Sequence, residues 1–307
     1  MPVPPQGWNP IGADPKEIAQ YGFPPKPTTG RDEAAWMDQM SRYKATPIPR
    51  LCSRPWSGSE SVQNVLVTAN SASWSGYSGE PIAANNYVAV SGEFDQPGRL
   101  GSTCVNPRQA TWVGLGGARD RPDGSGGLLQ TGTARTATGA PYAWFEWIGH
   151  TSDDQSIGVS EQVITSLDVA VGDHIHLSVF YQTSNSQANF IVQNETTGQY
   201  QSIIQTFSNN RFYDGRDADF ITERPKVGGQ LAPLQNFGTV TWNSVKAQNQ
   251  LGDWQFLDAL ATQVRKHMTA DGSSSATRLA TAGSIGGPSG GAFTTTWNAC
   301  GVLSGPV

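Results

Sequence analysis

Charged residues make up only 15% of this 307-residue sequence, and its net charge is −5. The longest basic run is the pair Arg265-Lys266. No positive stripe exists to neutralise a phosphate backbone, which argues against nucleic acid as a partner. Cysteine is scarce as well. Cys52, Cys104 and Cys300 stand far apart, so the close cysteine pairs of zinc sites are missing. At most one disulfide can form, and the sequence leaves open which two cysteines make it. Long apolar runs are also missing: no stretch of about 18 such residues is there to cross a membrane. The first residues, Met1-Pro2-Val3-Pro4-Pro5, lack the charged and apolar regions of a secretory signal.

Glycine (35) and proline (20) are plentiful. Sparse charge with many Gly, Ser and Thr suits short strands joined by turns rather than a helical protein. Ten Trp, eight Tyr and eleven Phe supply ample apolar area to bury, which argues against a disordered chain.

The prolines concentrate in residues 1–60, which read as an extended arm with two short helices. The first opens at Asp14-Pro15-Lys16-Glu17, with an N-cap, a proline at the first helical position and a glutamate placed for a capping box. The second runs near Arg31 to Lys44, where Trp36, Met40 and Tyr43 form one apolar stripe. A stripe on so short a helix needs a surface to bury against, so the arm is expected to pack on the domain that follows, 61–307.

From about Val62 the pattern changes to period two. Strands are expected at Asn86–Phe94, Ala110–Leu115, Tyr142–Ile148, His174–Tyr181, Asp219–Glu223 and Gly238–Trp242, with a last one at Phe293–Trp297. Asn189–Gln193 and Tyr200–Phe207 flank a turn at Asn194–Gly198 and read as a hairpin. Such a series predicts an antiparallel sandwich or barrel. Trp254–Met268 fits either a helix or a strand pair, and residues 271–292 read as a long loop.

Several clusters carry candidate chemistry. On the strand Tyr142–Ile148, Ala143, Phe145 and Trp147 suit a core, while Tyr142, Trp144 and Glu146 share the other face. Two rings around one carboxylate make a surface for a peptide or a sugar; the bland alternative is a solvated outer face. Gln130, in Leu128-Leu129-Gln130-Thr131-Gly132, offers both a donor and an acceptor. It is either satisfied by sheet backbone or set to stabilise an oxyanion and position a water. Glu223 ends a strand just before Arg224-Pro225. It is either a surface carboxylate paired with Arg224 or a partly buried acid/base group with a raised pKa.

In chain order these residues resemble a known family. Ser73-Trp74-Ser75-Gly76-Tyr77, Thr111-Trp112-Val113-Gly114, Leu128-Leu129-Gln130-Thr131-Gly132, Tyr142-Ala143-Trp144-Phe145-Glu146-Trp147 and Ala218-Asp219-Phe220-Ile221-Thr222-Glu223 are similar to motifs of the eqolisins, the glutamic peptidases. The resemblance covers about Val62 to Trp297. It implies an all-β, lectin-like sandwich of two bent antiparallel sheets. It also implies acid endopeptidase activity on polypeptide substrates, without cofactor or metal. Gln130 and Glu223 fall on the catalytic positions, and Trp74, Trp112, Tyr142, Trp144 and Glu146 line the groove. A secreted, monomeric enzyme is expected, with the Pro-rich arm as a removable pro-segment. One departure stands out: where the family pattern has Trp-Val-Gly-Ile-Asp-Gly, this sequence continues Leu115-Gly116-Gly117, leaving Asp120 or Asp123 to replace the acid.

Three rivals are set against this reading. Gly287-Pro288-Ser289-Gly290-Gly291 fits a serine nucleophile loop, but no apolar strand leads into it. His174 and His176 share a strand face that suits a metal, yet no third ligand is evident nearby. The serious alternative is a carbohydrate-binding sandwich, or a glycosidase using Glu146 and Glu223 as its carboxylate pair.

Overall fold

The computed structural model describes residues 8–20, 26, 37, 65–80, 86–101, 103–117, 127–150, 156–184, 186–207, 215–287 and 290–302. Contacts divide the chain into Met1–Ser61 and Val62–Val307. In the first unit, α1 spans Pro15–Gln20. Asp14 caps it: its Oδ1 accepts from the backbone N–H groups of Lys16 (2.8 Å) and Glu17 (2.9 Å). Ile18 is buried against Ile11, Ala13 and Met37. Of the second expected helix only Met37 is described; Trp36, Met40 and Tyr43 lie outside the described residues.

The second unit is built from strands. They are β1 (Val65–Ser71), β2 (Trp74–Glu80), β3 (Tyr87–Asp95), β4 (Gln109–Gly116), β5 (Leu128–Arg135), β6 (Tyr142–His150), β7 (Ser156–Asp168), β8 (His174–Gln182) and β9 (Gln187–Asn194). Then follow β10 (Gln199–Thr206), β11 (Ala218–Glu223), β12 (Lys226–Val227), β13 (Gln230–Leu231), β14 (Thr239–Asn249), β15 (Trp254–Phe256), β16 (Thr262–Thr269), β17 (Arg278–Ala282) and β18 (Phe293–Trp297).

All but β12 and β13 belong to one hydrogen-bonded path that makes two layers. The first runs β1-β16-β2-β11-β4-β5-β6-β7, and the second β10-β9-β8-β3-β14-β18-β17. They join where the end of β16 pairs with β17, through Met268 opposite Ala280. The pairing is antiparallel throughout, except that β1 lies parallel to β16.

Alternation explains why the layers close on each other. In β8, Ile175, Leu177, Val179 and Tyr181 are buried, while His174 and His176 between them are part-exposed. The same core takes Tyr77, Val113, Leu129 and Phe220 from the first layer and Phe94, Phe190 and Trp242 from the second. Phe94 and Phe293 sit 5.0 and 5.8 Å from Trp242, ring centre to ring centre. The expected hairpin is β9–β10. Asn194 Oδ1 accepts from the N–H groups of Thr196 and Thr197, and Gly198 takes φ +75° in the turn.

Two expectations need correction. Trp254–Met268 is neither a helix nor a strand pair: it holds β15, which pairs with β14, and β16, which pairs with β1, β2 and β17. The i, i+3 spacing of Trp254, Leu257 and Leu260 that imitates a helix is served by a 3-10 turn at Leu257–Ala259, which has its own period of three. The supposed loop 271–292 contains β17. Its Leu279-Ala280-Thr281 core lacks the apolar bulk of a strand, but backbone pairing with β16 and β18 satisfies it.

Cys104 and Cys300 form the disulfide, closing a separation of 196 residues between the segment before β4 and the segment after β18. Cys52 lies outside the described residues. Closing so long a loop restricts the unfolded chain strongly. Replacing Cys104 and Cys300 by alanine should therefore cost about 3–5 kcal/mol. Denaturant unfolding with unchanged midpoint would contradict that.

Candidate active site

The site lies on the face of the first layer turned away from the core. Register fixes its rows. Trp74, Glu223, Ala110, Ala134 and Tyr142 stand side by side across β2, β11, β4, β5 and β6. In the next row come Lys266, Gly76, Ile221, Trp112, Gly132 and Trp144, and in the third Val264, Ser78, Asp219, Gly114, Gln130 and Glu146. Residues directly opposite in a ladder share a face, so Gln130 and Glu223 do too. They belong to strands two apart and are offset by four residues along β4.

Gly132 makes the middle row possible. A Cβ there would stand 2.6 Å from Trp112 Cβ, so only glycine lets the Trp112 side chain leave the strand beside it. Trp112 then donates from Nε1 to Glu223 Oε2 at 2.6 Å and packs edge-on against Trp74, 5.1 Å away. Trp112 and Trp144 are buried rather than exposed along a groove wall; with Ala110, Leu128, Ala134 and Ile221 they form a floor. Trp74 and Tyr142 are half-buried against it.

Gln130 is held from one side. Its Nε2 donates to Glu146 Oε2 at 2.6 Å, from directly across the ladder. Glu146 Oε1 accepts from the backbone N–H of Glu161 at 3.2 Å. The Gln130 Oε1 is buried and has no hydrogen-bond partner among the described residues. Tyr142 donates from its hydroxyl to Glu161 Oε1 at 2.8 Å.

Both carboxyl groups hold their protons more tightly than an ordinary glutamate. Burial pushes Glu223 up to about 7; the Trp112 and Trp74 indole donors pull it down, and the charges of Glu146 and Glu161 add to the rise. Glu146 is raised by burial, against the hydrogen bonds from Gln130 and Glu161. The Glu146 charge is felt at Glu223, so the two ends of the arrangement converge electrostatically. Arg224 does not pair with Glu223. It is fully buried and donates to the carbonyls of Ala232, Leu231, Ala270 and Val302.

Asp219 and Glu161 joined this site without being singled out from the sequence. Asp219 alternates with Glu223 in the same motif and was legible by period two. Glu161 lies on β7, whose polar, weakly alternating sequence gives no strand signal. At the departure from the family pattern, Gly116 takes φ +85°, and a Cβ there would meet the carbonyl of Gly127 at 2.0 Å. The local backbone thus leaves no room for an acid. Asp120, Asp123 and Ser289 lie outside the described residues. His174 bonds Asp95 at 2.7 Å, and His176 meets Ser91 at 2.9 Å; among the described residues no cluster of three His, Cys, Asp or Glu could hold a metal.

Comparison with known proteins bears on the family and the fold. The model of the peptidase A4 family matches residues 72–284. Aspergillopepsin-2 of Aspergillus niger is 30% identical over 204 residues, 59% of this chain and 66% of that protein. Scytalidopepsin B of Scytalidium lignicola is 28% identical over 135 residues, 44% of this chain and 45% of its own length. The chain thus spans less than two thirds of either relative. A crystal structure of scytalido-glutamic peptidase with a transition state analog inhibitor superposes with a TM-score of 0.58 at 19% identity, covering 74% of this chain and 98% of that one. That likeness shows the sandwich fold.

Proposed function

Since the chain belongs to the peptidase A4 family, the eqolisins, we propose that it is a glutamic endopeptidase in which Glu223 and Gln130 act on one peptide group. Glu223, as carboxylate, takes a proton from a water. The water oxygen bonds the scissile carbonyl carbon, whose oxygen becomes an oxyanion. The C–N bond then breaks, and the proton on Glu223 passes to the leaving amine. Gln130 accepts from the water through Oε1 and donates its second Nε2 hydrogen to the oxyanion. No acyl-enzyme forms. The observation that carries this reading is the Gln130 amide. It is anchored by Glu146 through one hydrogen and buried, yet among the described residues its oxygen has no partner. A buried polar atom left unpaired costs about 1–3 kcal/mol, which suits a group waiting for water or substrate.

The test is hydrolysis of denatured protein by the full chain from acid to neutral pH, beside a panel of polysaccharides. Fragments cut at internal peptide bonds support the proposal; sugar release without proteolysis overturns it.

The pH profile has a definite sign. The base must be ionised, and burial raises its pKa from 4.5 to about 7. As Glu146 protonates on acidification it stops repelling the Glu223 charge, which lowers the Glu223 pKa again. The ascending limb of kcat/KM should therefore be broad and lie above the pKa of an ordinary glutamate, between about 5 and 7. Trp112→Phe removes the indole donor that favours the carboxylate, so the limb should move upward. A limb that stays in place would show that the Trp112 bond does not tune the base.

A further inference from the structure

Beside Trp74 the groove face continues into a cavity of about 480 Å³, lined among others by Ser71, Trp74, Ser78, Glu80, Val264 and Lys266. Lys266 is the unusual member. It is 9% exposed, a depth at which lysine is rare unless its charge is answered. Its stem lies opposite Gly76, which has no side chain to compete for the space. Its ammonium sits 4.5 Å from the centre of the Trp74 ring. Among the described residues no carboxylate comes within 4.0 Å of that ammonium. Trp74 stands directly opposite Glu223 in the register, so one side chain separates the cation from the proposed base.

We propose that this cavity is a substrate subsite for an acidic side chain, in which Lys266 binds the carboxylate of an Asp or Glu close to the scissile bond. The inference rests on the peptidase reading above and extends it to specificity. A cation already stripped of most of its water gains more from a carboxylate than an exposed lysine would. Asp219, Asp217 and Glu80 favour the charged form of Lys266 from a greater distance. Asp219 is fully buried, accepts from Ser78, and holds its proton more tightly because of burial, opposed by the charge of Lys266. Glu80 lies four residues from Gly76 along β2, toward the other end of the cavity. The positive end is thus the end next to Glu223.

The test pairs peptides that differ only by Glu or Gln at successive positions around the scissile bond, assayed at pH 6. There the peptide glutamate is ionised. At one position the full chain should prefer Glu by about 10- to 100-fold in kcat/KM, the usual worth of a hydrogen bond to a charged group. In Lys266→Met that ratio should fall to about one, while Lys266→Arg keeps it. A wild-type ratio near one at every position, or a ratio that survives Lys266→Met, overturns the subsite. Binding of the same peptides to Glu223→Gln protein, followed by tryptophan fluorescence, reads the subsite without turnover. If the wild type cleaves no peptide, the peptidase reading fails. The binding arm then decides alone: a Lys266-dependent preference for Glu upholds the anion site, and equal binding rejects it.

Discussion

A Glu223→Gln chain is expected to lose about 10³- to 10⁴-fold in kcat, since the base that activates water is also the acid that frees the amine. The same change should raise thermal stability at neutral pH. The two effects have one cause. Burial lifts the carboxyl of Glu223 from 4.5 to about 7, so the folded protein binds this proton more tightly than the unfolded chain does. Stability then falls as pH rises from the unfolded value toward the folded one. An amide has the same shape, still accepts from Trp112 Nε1, and carries no charge to desolvate. Wild type and variant should therefore melt together at pH 4, where both are neutral, and the variant should melt higher at pH 8. Rates on a peptide and melting curves at the two pH values check this. Retained activity would falsify the assignment of the base. A variant no more stable at pH 8 would mean that Glu223 is hydrated, and that its environment does not tune it.

Much of this was legible from alternation. In Tyr142–Ile148 the even positions had to share a face, and Tyr142, Trp144 and Glu146 do face the site while Ala143, Phe145 and Trp147 pack inward. The same rule sets Gln130 and Glu223 on one face once β4 is known to lie between their strands. Strand order itself was not legible. Pairing of β11 between β2 and β4 joins segments more than 100 residues apart, and no local signal encodes it. The depth of the tryptophans was not legible either: Trp112 packs beside Gly132 and Gly114, and both Trp112 and Trp144 belong to the buried cluster against which Trp74 and Tyr142 pack. Lys266 escaped notice because Arg265-Lys266 reads as an ordinary exposed basic pair. Its burial follows from pairing with Gly76, which only the register reveals.

A Gln130→Ala chain should lose about 10²- to 10³-fold in kcat with little change in KM, the usual result of removing one oxyanion donor. Truncation, however, removes two things together. It takes away the groups aimed at the reacting carbonyl and water, and it strips Glu146 of the donor that favours its ionised form. Burial would then act on Glu146 less opposed, so its pKa should climb further above that of an ordinary glutamate. A second variant separates these contributions. In Gln130→Glu two carboxyl groups face each other at the position of the present 2.6 Å bond, and like charges so close hold one proton between them. That shared proton rebuilds the link to Glu146 but supplies no second N–H for an oxyanion. If Gln130 merely holds Glu146 in place, Gln130→Glu at pH 5 should work about as well as wild type. If Gln130 serves the transition state, it should be nearly as slow as Gln130→Ala, although Glu146 is held. Single-turnover rates for the three proteins at pH 5 distinguish the outcomes. A Gln130→Ala rate within tenfold of wild type would remove the amide from the chemistry altogether.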